Sequence, residues 1–185
     1  KKLTAGVSVN YALNKSNRTP QGNQLSNPLF RSWFTPRSWD LTGRPYQNAA
    51  GGNLHYDAVD NPRWTIYNNL YDDQIDRVFG NFNLQYEFND WLKISGKVGA
   101  DNFAYSGSFY DQIGALGQGS TVAGGIGGIR EIRQNSRIVN STFLLTANKK
   151  ITPQINLIFV LGNEVLDQFN NTTDLIGRGV TVRNF

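Results

Sequence analysis

The stretch GNFNLQYEFNDWLKISGKVGAD, residues 80–101, decides the fold. Phe82, Leu84, Tyr86 and Phe88 alternate with Asn81, Asn83, Gln85 and Glu87, and after the turn Leu92, Ile94 and Val98 alternate with Lys93, Ser95 and Lys97. A period of two on both sides of the short Asn89-Asp90-Trp91 turn predicts two antiparallel strands with one apolar and one polar face. Alternation alone leaves open whether the apolar face meets a protein core or something outside the molecule.

The rest of the chain reads the same way. Twenty-two Asn and nineteen Gly stand beside many Phe, Tyr, Val, Ile and Thr, a mixture that disfavours helix and suits strands joined by loops. LTAGVSVNYALNK carries Leu3, Ala5, Val7, Val9, Tyr11 and Leu13 on one parity, about eleven residues of alternation. That is long for a soluble strand and fits the ~9–11 residues that cross a bilayer as a tilted β-strand. Strands are expected near residues 3–14, 77–88, 92–106, 131–148 and 155–167, with long loops near 16–70, 107–130 and 168–185. The expected fold is an all-β antiparallel meander of about five strands, forming part of a large transmembrane β-barrel.

Loop lengths support that expectation. Connections alternate between long and short, so in a meander every long loop gathers at one end and every tight turn at the other. Transmembrane barrels have this asymmetry, with long extracellular loops and short periplasmic turns. Trp91 at a tight turn, and Tyr71, Phe103, Tyr105, Phe109 and Tyr110 toward the long-loop end, fit aromatic girdles at the two interfaces. Capping of a soluble core is the other reading of those rings. No apolar run approaches the ~20 residues of a spanning helix, which does not bear on a barrel. The chain opens on Lys1-Lys2 and enters a strand without a lead-in segment, so it is expected to be a piece of a longer polypeptide.

Several function classes lack their machinery. There is no Cys, so thiol nucleophiles, zinc-thiolate sites and disulfides are excluded. The formal charge of +4 is scattered and not gathered into a stripe, so nucleic acid is not an expected partner. His55 is the only histidine and has no patterned acid or nucleophile beside it; no enzyme is expected, and no cofactor or metal. Asp72, Asp73 and Asp76 fit no cation-binding loop and read as a solvated turn. The glycines at 124–128 lack the Lys-Ser/Thr of a phosphate loop and read as turn material. Asn17, Asn140 and Asn170 open glycosylation-type triplets, relevant only in a eukaryotic secretory route.

NPRWTIYNNLYDDQIDRVFGNFNLQYEFNDWLKISGKVGAD (61–101) resembles the barrel domain of the SusC/RagA family of TonB-dependent outer-membrane transporters from Bacteroidetes-type bacteria. The resemblance rests on Asn61, Pro62 and Trp64, on Asp72, Asp73 and Arg77, and on Gly80, Asn81, Leu84 and Tyr86. It continues through Asp90, Trp91, Leu92, Gly99 and Asp101. FTPRSWDLTG (34–43), GNEV (162–165) and GRG (177–179) extend it over nearly the whole chain. It implies a plugged barrel of about twenty-two strands that imports oligosaccharides or oligopeptides. It also implies TonB coupling through a plug region absent from this chain, a SusD-like surface lipoprotein over the mouth, and outer-membrane lipid around the wall. Five strands of such a barrel leave two unpaired edges, so the remainder of the barrel and plug are further expected partners. A soluble all-β carbohydrate-binding module and a passive porin are the alternatives.

Two sets of site candidates follow. Arg77, Asn81, Asn83, Gln85, Glu87, Lys93, Lys97 and Asp101, together with Ser95, would face a lumen and contact plug, water or cargo. Trp33, Trp39, Trp64 and Tyr67 would stack on sugar rings or anchor a lid, or else build the loop's own small core. The fifth strand is apolar on both parities, so its second face needs a dry partner.

Overall fold

The computed structural model describes residues 2–117 and 125–183. Five strands form one antiparallel sheet in the order β1-β2-β3-β4-β5: β1 (Leu3–Arg18), β2 (Leu70–Asn89), β3 (Leu92–Asp111), β4 (Gly128–Thr152) and β5 (Ile155–Arg178). Sequential strands are neighbours throughout, and β1 and β5 are the edges. The two tight turns have side-chain locks. Asn89 Oδ1 accepts from the backbone N–H groups of Trp91 and Leu92 at 3.2 and 2.9 Å. Thr152 Oγ1 does the same for Gln154 and Ile155 at 3.3 and 3.1 Å. These Asx- and ST-type turns mimic a backbone turn and fix where each strand reverses.

The strands run further into the long connections than alternation predicts. β1 continues to Arg18, β2 begins at Leu70, β3 reaches Asp111, β4 begins at Gly128 and β5 extends to Arg178. The expected loops at 16–70, 107–130 and 168–185 are shorter accordingly. In these extensions the formerly apolar parity turns polar (Asp72, Gln74, Ser106, Ser108, Glu131, Arg133), so backbone pairing persists while the hydrophobic period disappears. The acidic group expected as a solvated turn sits inside β2, and β1 engages each member. Asp72 accepts from Asn17 at 3.0 Å, Asp73 pairs with Arg18 at 2.9 Å, and Asp76 accepts from Tyr11 at 2.8 Å. Of the glycines at 124–128, Gly124 lies outside the described residues, as do loop positions 118–124, Lys1 and residues 184–185.

The 16–70 connection also holds two seven-residue helices, α1 (Pro28–Phe34) and α2 (Pro62–Asn68). Each opens on Asn-Pro. Asn27 accepts from the N–H groups of Leu29 and Phe30, and Asn61 from that of Arg63. The proline at the first helical position gives up an N–H that would have had no helical partner.

Two compact units divide the chain. The first comprises Lys1–Leu13, Ile75–Ala104 and Gln134–Asn171. None of its described residues is buried; it is a single layer of sheet with neither face covered. The second comprises Asn14–Gln74, Tyr105–Arg133 and Thr172–Phe185, and it holds every buried side chain of the described residues. Its centre is Trp64, 0% exposed, whose indole Nε1 donates to the Gly51 carbonyl at 3.0 Å. Asp60, also fully buried, accepts from the Ser26 hydroxyl and from the Leu116 N–H, the latter at 2.9 Å. Asn69 accepts from the Gln112 N–H at 3.2 Å, and the Tyr71 hydroxyl donates to Asp111 at 2.8 Å. These pairings among buried polar groups help to hold so long a connection in place.

Candidate functional site

The uncovered sheet of the first unit has two chemically distinct faces, and contacts across neighbouring strands assign each side chain. Asn81 donates to Ser8 at 2.9 Å, Arg77 Nε donates to Asp101 at 2.9 Å, and Asn140 donates to Glu164 at 2.7 Å. Asn83, Gln85, Ser95 and Lys97 line one shallow cavity with Thr142; Asn81, Lys97 and Asp101 line a second with Asn140; Glu87 and Lys93 line a third. Arg77, Asn81, Asn83, Gln85, Glu87, Lys93, Lys97 and Asp101 thus come together on one polar face. Lys93 and Lys97 make no ion pair among the described residues. The face can donate and accept hydrogen bonds along its whole length.

The opposite face is apolar over a limited height. It carries Leu3 to Leu13 of β1, Val78 to Phe88 of β2, Leu92 to Ala100 of β3, Val139 to Ala147 of β4 and Ile155 to Val165 of β5, taken at every second residue, with Ser141 and Asn163 as its polar interruptions. A Cβ on Gly96 would touch Phe143 at 4.0 Å, which places β3 and β4 side chains of this parity together. The side chains stand open: Val7 is 75% exposed and Leu157 59%. Each stretch then ends in a polar residue: Lys15, Asp76, Asn102, Arg137 and Asp167. At the tight-turn end, Tyr86 and Phe88 meet edge to face with centroids 5.0 Å apart, and Lys149 sits 5.2 Å over the Trp91 ring.

β5 keeps apolar residues on both parities, and Ile158, Val160 and Leu166 of its second parity are more than half exposed. The aromatic cluster expected as a girdle at the long-loop end divides. Tyr71, Phe109 and Tyr110 are buried within the second unit, with Tyr71 and Phe109 edge to face at 5.2 Å, so these three rings serve a core. Phe103 and Tyr105 take the parity of Asp101, which is the polar side.

The four loop aromatics separate as well. Trp64 cannot stack on a ligand or hold a lid, because on α2 it is wholly buried. Trp39 is half-buried against His55 and Tyr56, with the Arg44 guanidinium 4.5 Å from its ring centroid. Trp33 on α1 and Tyr67 on α2 remain accessible, 81% and 67% exposed. Tyr67 pairs with Tyr46 at 5.6 Å, and Arg63 lies over Tyr46 while donating to the carbonyls of Leu41, Thr42 and Arg44. His55 is partly buried, which depresses its pKa below the usual imidazole range. Among the described residues no group of His, Cys, Asp and Glu could hold a metal ion.

What alternation could not reveal is the polar end of the apolar face. Tyr11 with Asp76, and Arg137 with Asp167, join charged or hydroxyl groups from neighbouring strands where the apolar stretch stops. Its signal in the sequence is a polar residue, charged on four of the five strands, two positions beyond the last apolar one of that parity. No protein-family model matches the chain, and no characterised protein matches it significantly.

Proposed function

We propose that these strands are a section of the wall of a TonB-dependent outer-membrane transporter of the SusC/RagA kind, importing oligosaccharide or oligopeptide. The observation that carries this reading is the bounded apolar face. Residues 3–13, 78–88 and 155–165 each span about eleven positions. At ~3.3 Å per residue and a tilt near 45° this gives a band of about 25 Å, the height of the lipid-facing belt of an outer-membrane barrel. Water-soluble monomers rarely expose apolar patches beyond roughly 300–600 Å². A carbohydrate-binding module would have no use for such a face.

On this reading the polar face lines the lumen, where Arg77, Asn81, Lys97 and their neighbours hydrogen-bond plug, water or cargo. The edges β1 and β5 pair with further strands, because unpaired backbone groups are not tolerated in lipid. Trp33 and Tyr67 are the loop rings available to cargo or to a SusD-like lid. Import would be powered through TonB acting on a plug.

The test is made on the whole polypeptide that carries these residues. Recovery only from the outer-membrane fraction with detergent, and substrate uptake that stops when the inner membrane is de-energised, are the expected results. A stable monomer in detergent-free buffer would overturn the membrane reading, and uptake indifferent to de-energisation would make the barrel a porin.

A further inference from the structure

Within the first unit, the apolar face ends in a groove where the strands lead on into the long connections. Asp76 and Val78 of β2, Asn102 of β3, Asn135 and Arg137 of β4, and Phe169 of β5 line a cavity of about 410 Å³. Asp76, Asn102 and Arg137 each stand two positions beyond the last apolar residue of their strand, so the groove straddles the limit of the apolar band. The Phe169 ring is 52% exposed, and the Arg137 guanidinium lies 6.0 Å from its centroid. Arg137 also reaches Asp167 at 3.5 Å. Both partners of that ion pair are more than half exposed, so the guanidinium can exchange it for a better anion. Asp76 accepts from the Tyr11 hydroxyl, and an ionised carboxylate has lone pairs for further donors.

These groups suit a saccharide. An exposed aromatic ring packs against the C–H face of a sugar, while amides, a carboxylate and a guanidinium meet its hydroxyls as donors and acceptors. The four strands that line the groove span about 14 Å at the usual inter-strand spacing, wider than one sugar ring. Arg137 stands two strands from Asp76, about 10 Å between backbones, so a phosphate on the guanidinium is clear of the carboxylate. A glycerophospholipid headgroup would engage Arg137 and leave the Phe169 ring and the amides of Asn102 and Asn135 unused. On the membrane reading the long connections are extracellular. The groove then opens on the outer leaflet, whose lipid in an outer membrane is a phosphorylated glycolipid.

We propose that this groove holds the phosphorylated saccharide headgroup of an outer-leaflet glycolipid. Its phosphate lies on Arg137, a sugar ring on Phe169, and its hydroxyls on Asn102, Asn135 and Asp76, with the acyl chains along Val78 and the apolar face. The proposal rests on the reading that this face meets lipid. It adds a defined lipid site to that reading, where the apolar band alone requires only nonspecific solvation.

The whole protein that carries these residues is purified in detergent and exchanged against three lipids of four acyl chains each. The first is a monophosphorylated diglucosamine glycolipid and the second is the same glycolipid after removal of its phosphate. The third is cardiolipin, which has phosphate but no sugar. Retained lipid is counted by native mass spectrometry. The phosphorylated glycolipid should be retained about tenfold over either of the others, the scale of one charge-assisted hydrogen bond or of a ring contact with neutral hydrogen bonds. Arg137→Gln should abolish the preference over the dephosphorylated form, and Arg137→Lys should keep part of it. Phe169→Leu combined with Asn102→Leu should abolish the preference over cardiolipin. The deacylated sugar phosphate at equal concentration should not displace the lipid. A fluorophore at Leu157, quenched by a nitroxide-tailed lipid, reports separately on the face itself. Quenching at Leu157 with equal retention of all three lipids, with preferences that survive the variants, or with displacement by the free sugar phosphate, overturns the headgroup site alone. Absence of quenching at Leu157 overturns the membrane reading beneath it.

Discussion

Trp64 and Gly51 are joined by a hydrogen bond of 3.0 Å from the indole N–H to a carbonyl, and Arg183 donates to the same oxygen at 2.9 Å. Gly51 holds φ at +77°, a conformation other residues adopt only with strain. The pair organises the long connection between β1 and β2 around one ring.

Trp64→Phe should weaken the second unit by about 1–2 kcal/mol, because the Gly51 carbonyl loses its indole partner. Trp64→Ala should cost about 3–5 kcal/mol by opening a cavity. Hydrogen exchange over residues 19–69 measures both, with faster exchange expected there and little change in residues 78–88.

The two Asn-Pro helix starts should differ in sensitivity. Asn27→Ala removes a cap and should cost about 1 kcal/mol. Asn61→Ala should cost about 2 kcal/mol, since Asn61 is buried and its amide also donates to the Leu54 carbonyl at 2.9 Å. Asn61→Asp keeps the capping oxygen but loses that donor, so it should fall between wild type and alanine in α2 exchange protection.

These caps show what was readable in the chain and what was not. All five strands are visible because Phe82 to Phe88, Leu3 to Leu13 and their counterparts alternate against Asn, Gln, Ser and Lys. Strand ends were hidden where Asp72, Gln74, Glu131 and Arg133 replaced apolar residues on the same parity, so pairing continued without a hydrophobic period. A seven-residue helix completes two turns, too few to display a period of 3.6, so α1 and α2 were marked only by Asn27-Pro28 and Asn61-Pro62. The lumen candidates emerged on one face because parity is fixed by the backbone. Burial of Trp64 depended on contacts remote in sequence, and nothing local separates it from the exposed Trp33.

Acid should favour the second unit through Asp60. Burial raises the pKa of its carboxyl above the usual range, offset in part by the bonds from Ser26 and the backbone N–H groups of Leu116 and Gly117. The folded state therefore holds this proton more tightly than the unfolded state. The resulting stability is present in full below the ordinary carboxylate pKa and is lost as pH rises through the raised value. Asp60→Asn, compared with wild type across that window by hydrogen exchange, should flatten this residue's share of the pH dependence. An unchanged slope would assign it to other groups.

Gly80 fixes the approach of β1 to β2. A Cβ there would collide with the Ser8 carbonyl, so Gly80→Val should push the strands apart at a cost of about 1–3 kcal/mol. Exchange of the β1 amides near Ser8 should accelerate, while those of β4 should be unaffected.

The central claim is that the face bearing Leu84 meets hydrocarbon and the face bearing Gln85 does not. Single nitroxide labels at positions 84 and 85 in the assembled full-length protein, in bilayers, test it through accessibility to oxygen and to a water-soluble nickel chelate. The label at 84 should be reached more readily by oxygen, which concentrates in lipid, and the label at 85 by the chelate. The reverse pattern would contradict the account, because it would turn the apolar face inward and leave the polar face against the membrane.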